Sequence, residues 1–171
     1  MKSFIKIAAG FFTVSVFFLL KFWYAKTTSE DVLFLLKPIA KLVNIVTGSD
    51  AMFQAEIGYV NENLNIIINK SCSGFNFLMI AFLMLSFLLH KFFKPGYFQF
   101  LITPIVLVFS YGFTIVVNVS RILLSVVVNR FVKPSGLIHQ FEGTFVYMSF
   151  LMLLYLGVDY LLKQTKYEEF A

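Results

Sequence analysis

The one cysteine of the chain lies in a polar motif, Lys70-Ser71-Cys72-Ser73-Gly74, just before a long apolar run. A single thiol cannot form a disulfide within the chain, so it is a packing residue, a nucleophile or a partner for an outside group. A free cysteine is often simply buried, but small polar neighbours are poor core residues. Lys70 and the N-terminus of the following helix would both stabilise a thiolate. The motif favours a reactive Cys72, with Gly74 letting a substrate backbone approach closely.

A second polar motif, Asn118-Val119-Ser120-Arg121-Ile122, interrupts apolar sequence. An arginine at membrane depth is costly and needs a partner, unless its side chain reaches up to the lipid headgroups. Asn118 precedes Arg121 by three residues and falls on the same helical face. The pair predicts a polar patch inside a helix bundle, where the guanidinium could bind a developing oxyanion or a substrate carboxylate.

A histidine near the last apolar run completes the set. The simpler interpretation of His139 is an ordinary interfacial histidine, and His90, which adjoins Lys91, is given no function. His139 differs because Glu142 follows three residues later, where a helix would let the carboxylate orient the imidazole and raise its basicity. Gly143 would permit close packing at the start of the last helix.

Composition places these residues in a membrane. Of 171 residues, 59% are hydrophobic and 13% charged, which is too apolar for a soluble domain. The net charge of +5 comes from scattered basic residues that border apolar runs, so it predicts membrane flanks and no nucleic-acid partner. The chain has no CxxC pair, Cys/His cluster or Gly-rich phosphate loop. We therefore expect no cofactor and no metal site.

The apolar runs predict an all-α integral membrane protein with about four transmembrane helices. The first run resembles a signal peptide but lacks a convincing cleavage site, so it is interpreted as a retained anchor. A further apolar stretch, Ile122–Val132, is too short to cross a bilayer unaided. It predicts either an extension of the third helix or a re-entrant piece. The four predicted spans are Phe4–Tyr24, Phe75–Leu89, Tyr97–Val117 and Gly143–Leu162.

The sequence between the first two spans is more polar. Apolar residues recur at helical spacing over Asp31–Val46, which predicts an amphipathic helix on the membrane surface whose regularity Pro38 limits. Two short runs, Met52–Tyr59 and Leu64–Ile68, predict a small hairpin. The whole chain, 1–171, forms one membrane domain. Its parts are an anchor span (1–25), an outer segment (26–71), a core of three spans (72–162) and an inner tail (163–171).

Basic residues predict the orientation of the spans. With the N-terminus inside, the short inner segments carry an excess of lysines, as the positive-inside rule requires. Cys72, Arg121 and His139 then all lie near the outer surface, although three different spans carry them. Asn76, four residues after Cys72, would face the same side. This set supplies a nucleophile, an electrostatic clamp and a proton shuttle, the requirements of thiol acyl transfer.

The three motifs, in this order and at span ends, resemble the exosortase/archaeosortase family of membrane transpeptidases, and the length is most similar to its short forms of the exosortase K type. The resemblance implies that Cys72 is the nucleophile, Arg121 the stabiliser of the intermediate and His139 the acid/base. It also implies a bacterial inner membrane location with the active site outside. The substrates would be secreted proteins with a C-terminal sorting signal, which consists of a short motif, an apolar helix and a basic tail. Membrane lipid is the other expected partner.

A non-enzymatic alternative remains open at the level of the sequence. The chain could be a small membrane subunit of a transporter or an assembly complex. Arg121 and Asp159 would then be pathway or packing charges. Asp159 is the one carboxylate within the last span, and we expect it to be interfacial or paired with a nearby lysine.

Overall fold

Four long helices dominate the fold. A computed structural model of the chain describes residues 2–93, 98–129, 131 and 136–168. Each long helix contains a stretch that is long and apolar enough to cross a membrane. The prediction of an all-α membrane protein with about four spans is therefore confirmed. The helices are α1 (Lys2–Lys26), α3 (Phe75–Phe92), α4 (Phe98–Val128) and α5 (Gly136–Glu168), with a shorter helix α2 (Leu33–Thr47) between the first two.

The bundle has a central pair of helices with one helix on each side. Helices α3 and α4 pack on each other, and both α1 and α5 pack on this pair. The span in α3 is 61% buried within the protein, against 11% for each of the spans in α1 and α5. The outer two helices therefore present most of their Phe, Leu and Met side chains to the lipid.

Helix α4 passes without interruption through Ile122 and ends at Val128. This portion of the stretch Ile122–Val132 is thus an extension of the third helix and not a re-entrant piece. Helix α5 is also longer than predicted, since it begins at Gly136 and not at Gly143. Its first turns carry His139 and Glu142 into the helix.

Helix α2 packs its apolar face on α4 and on the second strand of the small sheet. Pro38 lies within the helix, and Gly48 ends it with a φ of 65°, a left-handed conformation that glycine adopts without strain. The predicted amphipathic helix is confirmed to within two residues at either end. Its buried face consists of Leu35, Leu36, Ile39, Ala40 and Val43.

The predicted hairpin is wrong in its strand count. The segment forms a three-stranded antiparallel sheet of β1 (Met52–Gln54), β2 (Gly58–Asn61) and β3 (Ile66–Ile68), in that order. The run Met52–Tyr59 had been expected to form one strand. It splits because Glu56 and Gly58 take positive φ angles of 67° and 116°, which reverse the chain inside the run.

The second span does not begin at Cys72 as an α-helix. Lys70–Cys72 forms a 3₁₀ turn, and α3 begins at Phe75. Gly74 separates the two with a φ of 73°. Cys72 thus lies just outside the helix, in a turn that other parts of the chain hold.

Candidate active site

The 3₁₀ turn that carries Cys72 is fixed by its own hydrogen bonds. The side-chain Oδ1 of Asn69 accepts from the backbone N–H of Ser71 at 3.1 Å and from the Ser71 hydroxyl at 2.6 Å. The backbone N–H of Cys72 donates to the carbonyl of Asn69 at 2.9 Å. These bonds set the direction in which the chain enters α3.

Helix α1 holds the same turn from the side. The Tyr24 hydroxyl donates to the carbonyl of Lys70 at 2.8 Å and lies 3.0 Å from the Ser73 hydroxyl. Ser73 is fully buried, and its hydroxyl accepts from the N–H of Phe75 at 3.3 Å. The Tyr24 ring also stacks on the Phe75 ring with a centroid separation of 4.0 Å. The first span is therefore part of the site and not only an anchor.

Gly74 is required for the packing of this turn on α4. A Cβ at this position would lie 3.1 Å from the Thr114 methyl and 3.2 Å from Cγ of Asn118. Its left-handed φ would strain any other residue as well. The missing Cβ of Gly74 therefore leaves room for α4. The close approach of a substrate backbone at Gly74 stays a prediction.

A hydrogen-bonded path joins the Cys72 turn to Arg121. The amide nitrogen of Asn118 donates to the carbonyl of Cys72. The Tyr147 hydroxyl donates to Oδ1 of Asn118 at 2.7 Å, and Nη1 of Arg121 donates to the Tyr147 hydroxyl at 3.0 Å. The guanidinium carbon also lies 5.1 Å from the centre of the Tyr147 ring, within the range of a cation–π contact. The cysteine turn, α4 and α5 therefore share one polar network.

Arg121 lies against a glycine of α5. A Cβ on Gly143 would be only 2.7 Å from Nε of Arg121, so the close packing expected at Gly143 is packing on this guanidinium. The Nε of Arg121 is buried and has no hydrogen-bond partner among the described residues. An unmatched donor on a partly buried arginine is costly unless something else accepts from it. Such a donor suits the binding of an anionic or carbonyl oxygen.

A cavity of about 320 Å³ adjoins this network. Ser71 and Ser73, on either side of Cys72, both line it. The Cys72 side chain is half-buried and packs against the apolar core under α2. Cys72 itself is not among the residues that line the cavity. The cavity lining consists of Tyr24, Ser71, Ser73, Gly74, Phe75, Asn76, Arg121, Gly143, Thr144 and Tyr147.

Two lysines near the cavity make specific contacts. Nζ of Lys70 donates to the carbonyl of Thr27 at 2.6 Å and lies 4.9 Å from the centre of the Tyr24 ring. These contacts join the outer segment to the end of α1. A contact of Lys70 with the Cys72 thiol, which the sequence suggested, is not among them. Nζ of Lys21 donates to Oδ1 of Asn76 at 2.6 Å. Asn76 lines the cavity, as its spacing from Cys72 suggested.

The position of His139 is described only for its backbone. It lies in α5, one turn before Gly143 and therefore one turn before the contact with Arg121. Its side chain lies outside the described residues, so the pairing of His139 with Glu142 stays a prediction. Both carboxylate oxygens of Glu142 are buried and lack a hydrogen-bond partner within the described part of the chain.

Sequence reasoning missed the two tyrosines of the site. Tyr24 was named only as the last residue of the first predicted span, and Tyr147 lay unmarked within an apolar run. A usable signal existed for Tyr147, since it follows Gly143 by four residues and falls on the same helical face. Asn118 was paired with Arg121 on one helix face, but its contacts are to Cys72 and Tyr147.

The opposite end of the bundle has a polar cluster of its own. The Thr13 hydroxyl lies 3.1 Å from the Thr103 hydroxyl and 3.2 Å from Nε2 of His90. Further along α5, Nζ of Lys163 lies 2.6 Å from Oδ2 of Asp159. The expected pairing of Asp159 with a nearby lysine is confirmed.

Comparison with known proteins identifies the family. The family model described as transmembrane exosortase matches residues 8–156. This range reaches into all four candidate spans and includes the motifs around Cys72, Arg121 and His139. Nothing among curated proteins or solved structures matches the chain. The match covers most of the 171 residues, and the chain is a multi-pass membrane protein that belongs to the transmembrane exosortase family.

Proposed function

We propose that the chain is a cysteine transpeptidase or endopeptidase of the bacterial inner membrane. It cleaves a C-terminal sorting signal from secreted proteins through a thioester on Cys72 and transfers the acyl group to an acceptor. The observation that carries the proposal is the path from the Cys72 carbonyl through Asn118 and Tyr147 to Arg121. The path supports the proposal because it fixes the backbone of Cys72 relative to Arg121. The neighbours of Cys72, Ser71 and Ser73, line the same cavity as Arg121, whose Nε has no hydrogen-bond partner among the described residues.

The first half of the reaction forms the thioester. The sulfur of Cys72 attacks the carbonyl carbon of the scissile peptide bond, and His139 accepts the thiol proton. Negative charge develops on the carbonyl oxygen, and Arg121 stabilises it by donation from the guanidinium. The C–N bond then breaks, and His139 returns the proton to the departing amine. The released fragment carries the apolar helix and the basic tail.

The second half releases the acyl group. An acceptor nucleophile attacks the thioester carbonyl and gives up its proton to His139. The C–S bond breaks, which regenerates the Cys72 thiolate. Water as the acceptor gives hydrolysis, and an amine or hydroxyl gives transfer. The same Arg121 donor serves both tetrahedral intermediates.

Tyr147 acts in this scheme as a positioning residue. Its hydroxyl accepts from Arg121 and donates to Asn118, so it fixes the guanidinium relative to the Cys72 carbonyl. Gly143 also helps to position the guanidinium, because the absence of a Cβ leaves room for Arg121 to pack against α5. Fixed donors need no reorganisation when charge develops, which is the source of their effect on rate.

The proposal is tested by co-expression with a secreted protein that ends in a short motif, an apolar helix and basic residues. We expect Cys72→Ala to abolish cleavage while the variant elutes normally in detergent chromatography. Thr165→Ala is the control, since its exposed hydroxyl bonds only to carbonyls of its own helix, and we expect it to retain cleavage. Cleavage that persists in Cys72→Ala would remove the enzymatic proposal and favour a structural role.

Orientation is tested separately in intact cells. The positive-inside distribution of lysines places Cys72 at the outer face. A small membrane-impermeant thiol reagent should label the single cysteine from outside. Labelling that requires permeabilised cells would contradict the proposed orientation.

A further inference from the structure

A second cleft, separate from the polar cavity, lies between the first four helices. It has a volume of about 250 Å³, and the nine residues that line it come from α1, α2, α3 and α4. All nine are aliphatic, aromatic or methionine side chains. Its one hydroxyl, that of Tyr111, donates to the carbonyl of Phe34 at 2.7 Å and so has its hydrogen bond. The cleft therefore offers an apolar lining and nothing for a polar ligand to bind.

The cleft lies within the membrane, on the site side of the bundle. Its α4 wall includes Tyr111, which precedes Asn118 by seven residues and so lies about 10 Å further into the span. Phe75 lines both this cleft and the polar cavity. An apolar cleft at this depth meets acyl chains and not water.

Two lysine side chains lie beside the cleft. A shallower hollow shares Phe34 and Tyr111 with the cleft and is also lined by Lys37 and Lys41. These lysines are four residues apart on α2, so both ammonium groups extend from one face of the helix. Both are exposed, and neither forms an ion pair within the described residues. The hollow beside the cleft therefore holds two positive charges that no described carboxylate neutralises.

We propose that the cleft binds one anionic phospholipid, with part of an acyl chain against Trp23 and Met79 and the phosphate between Lys37 and Lys41. The cleft and the lipid match in two ways. The apolar lining of the cleft matches the acyl chain, and the two lysines beside it match the negatively charged headgroup. Lysine side chains that extend from an interfacial helix to the headgroup layer are well placed for a phosphate. This inference goes beyond the proposed function and does not depend on it.

The chain provides its own probe for this site. Trp23 is the one tryptophan of the protein, and it lines the cleft with 44% of its surface exposed. A bromine atom on an acyl chain quenches tryptophan fluorescence at contact. Fluorescence of the full-length protein in nanodiscs therefore reports which lipid occupies the cleft, without any assay of catalysis.

The experiment titrates brominated phosphatidylglycerol or brominated phosphatidylcholine into nanodiscs of unlabelled phosphatidylcholine. We expect phosphatidylglycerol to reach half of its maximal quenching at a mole fraction at least tenfold lower than phosphatidylcholine does. Each basic residue near the phosphate should contribute roughly a fivefold difference in affinity. The double variant Lys37→Gln/Lys41→Gln should lose this preference. Lys91→Gln, a matched change of an exposed lysine at the far end of α3, should keep it.

A second pair of variants tests the cleft itself. Val108 lines the cleft, and Val116 is an exposed valine two turns further along α4 that does not line it. We expect Val108→Phe to remove the high-affinity phase of quenching and Val116→Phe to leave it. Equal quenching by both lipids would overturn the proposal, since it would indicate ordinary annular lipid. Quenching by neither would overturn it too, because a closed cleft or a bound protein helix would then exclude lipid.

Discussion

The two ends of the helix bundle both bury polar side chains, but they use them differently. At the end that contains His90, the hydroxyls of Thr13 and Thr103 bond to each other, and Thr13 also contacts His90. These contacts fasten α1, α3 and α4 together. At the end that contains Cys72, the polar groups also fasten helices, through Asn118 and Tyr147, but Arg121 keeps a buried donor without a described partner beside a cavity.

This difference explains why a histidine by itself does not identify the active site of this chain. His90 is part of a helix-to-helix contact, and it has no described connection to the thiol or the guanidinium. A polar cluster whose side chains bond to one another contributes stability and fixes the packing. A cluster that leaves a donor unmatched at a cavity is less stable than it could be, which is the arrangement expected where a ligand supplies the acceptor. Changes at the Cys72 end should therefore reduce activity, and changes at the His90 end should reduce stability.

The largest expected effect comes from Asn118→Leu. This change removes the donor to the Cys72 carbonyl and the acceptor for Tyr147. A displacement of about 1 Å in a reacting group can reduce the rate about a hundredfold, and we expect a loss of at least that size in kcat/KM for cleavage. Thr103→Val is the matched change at the His90 end. It should lower the free energy of unfolding by about 1 kcal/mol and leave cleavage intact. An equal loss of cleavage in both variants would contradict the functional difference between the two ends of the bundle.

Gly143→Ala should reduce cleavage roughly tenfold to a hundredfold, because a Cβ 2.7 Å from Nε must displace Arg121. Gly157→Ala, lower in the same helix, is the control, since nothing lies within 4 Å of its Cβ position. That change should raise stability by up to about 1 kcal/mol. The measurements are the cleavage rate and the thermal midpoint of each variant. Unchanged cleavage in Gly143→Ala would show that the place of Arg121 against α5 is unimportant.

Tyr147→Phe should reduce cleavage about tenfold, because it removes both hydrogen bonds of the hydroxyl, to Arg121 and to Asn118; a tenfold loss corresponds to about 1.4 kcal/mol. The aromatic ring and its cation–π contact remain, so the thermal midpoint should change little. We expect the loss to appear in kcat and not in KM. Tyr155→Phe, on an exposed part of α5, should leave both constants unchanged. A rise in KM with kcat unchanged would assign Tyr147 to substrate binding.

The smallest effect is expected near the C-terminal end of α5. Asp159 and Lys163 form an ion pair at spacing i, i+4, in which the lysine side chain is 58% exposed and the aspartate side chain 15%. Helix pairs at this spacing contribute about 0.3–0.5 kcal/mol. Asp159→Asn should therefore lower the thermal midpoint only slightly and should not alter cleavage. A loss of cleavage would indicate that Asp159 has a role beyond this pair.

The contrast also shows what the sequence can predict. The spans, the amphipathic α2 and the convergence of the Cys72 and Arg121 motifs follow from hydrophobic patterning and from the cost of an arginine in a membrane. The contacts of Gly74 and Tyr147 do not, because they depend on how α3, α4 and α5 pack. The strand count was wrong because a positive φ at Glu56 leaves no mark in the sequence. Long-range partners are set by tertiary packing, which local patterns do not encode.

The central claim, that Cys72 carries the acyl group beside Arg121, is tested most directly by trapping the intermediate. The protein is incubated with a substrate that bears the sorting signal, quenched in acid and analysed by mass spectrometry of its peptides. We predict an adduct on Cys72 with the mass of the substrate's upstream fragment, released by hydroxylamine and missing in Cys72→Ala. Cleavage that continues in Cys72→Ala, or an adduct on any other residue, would contradict it.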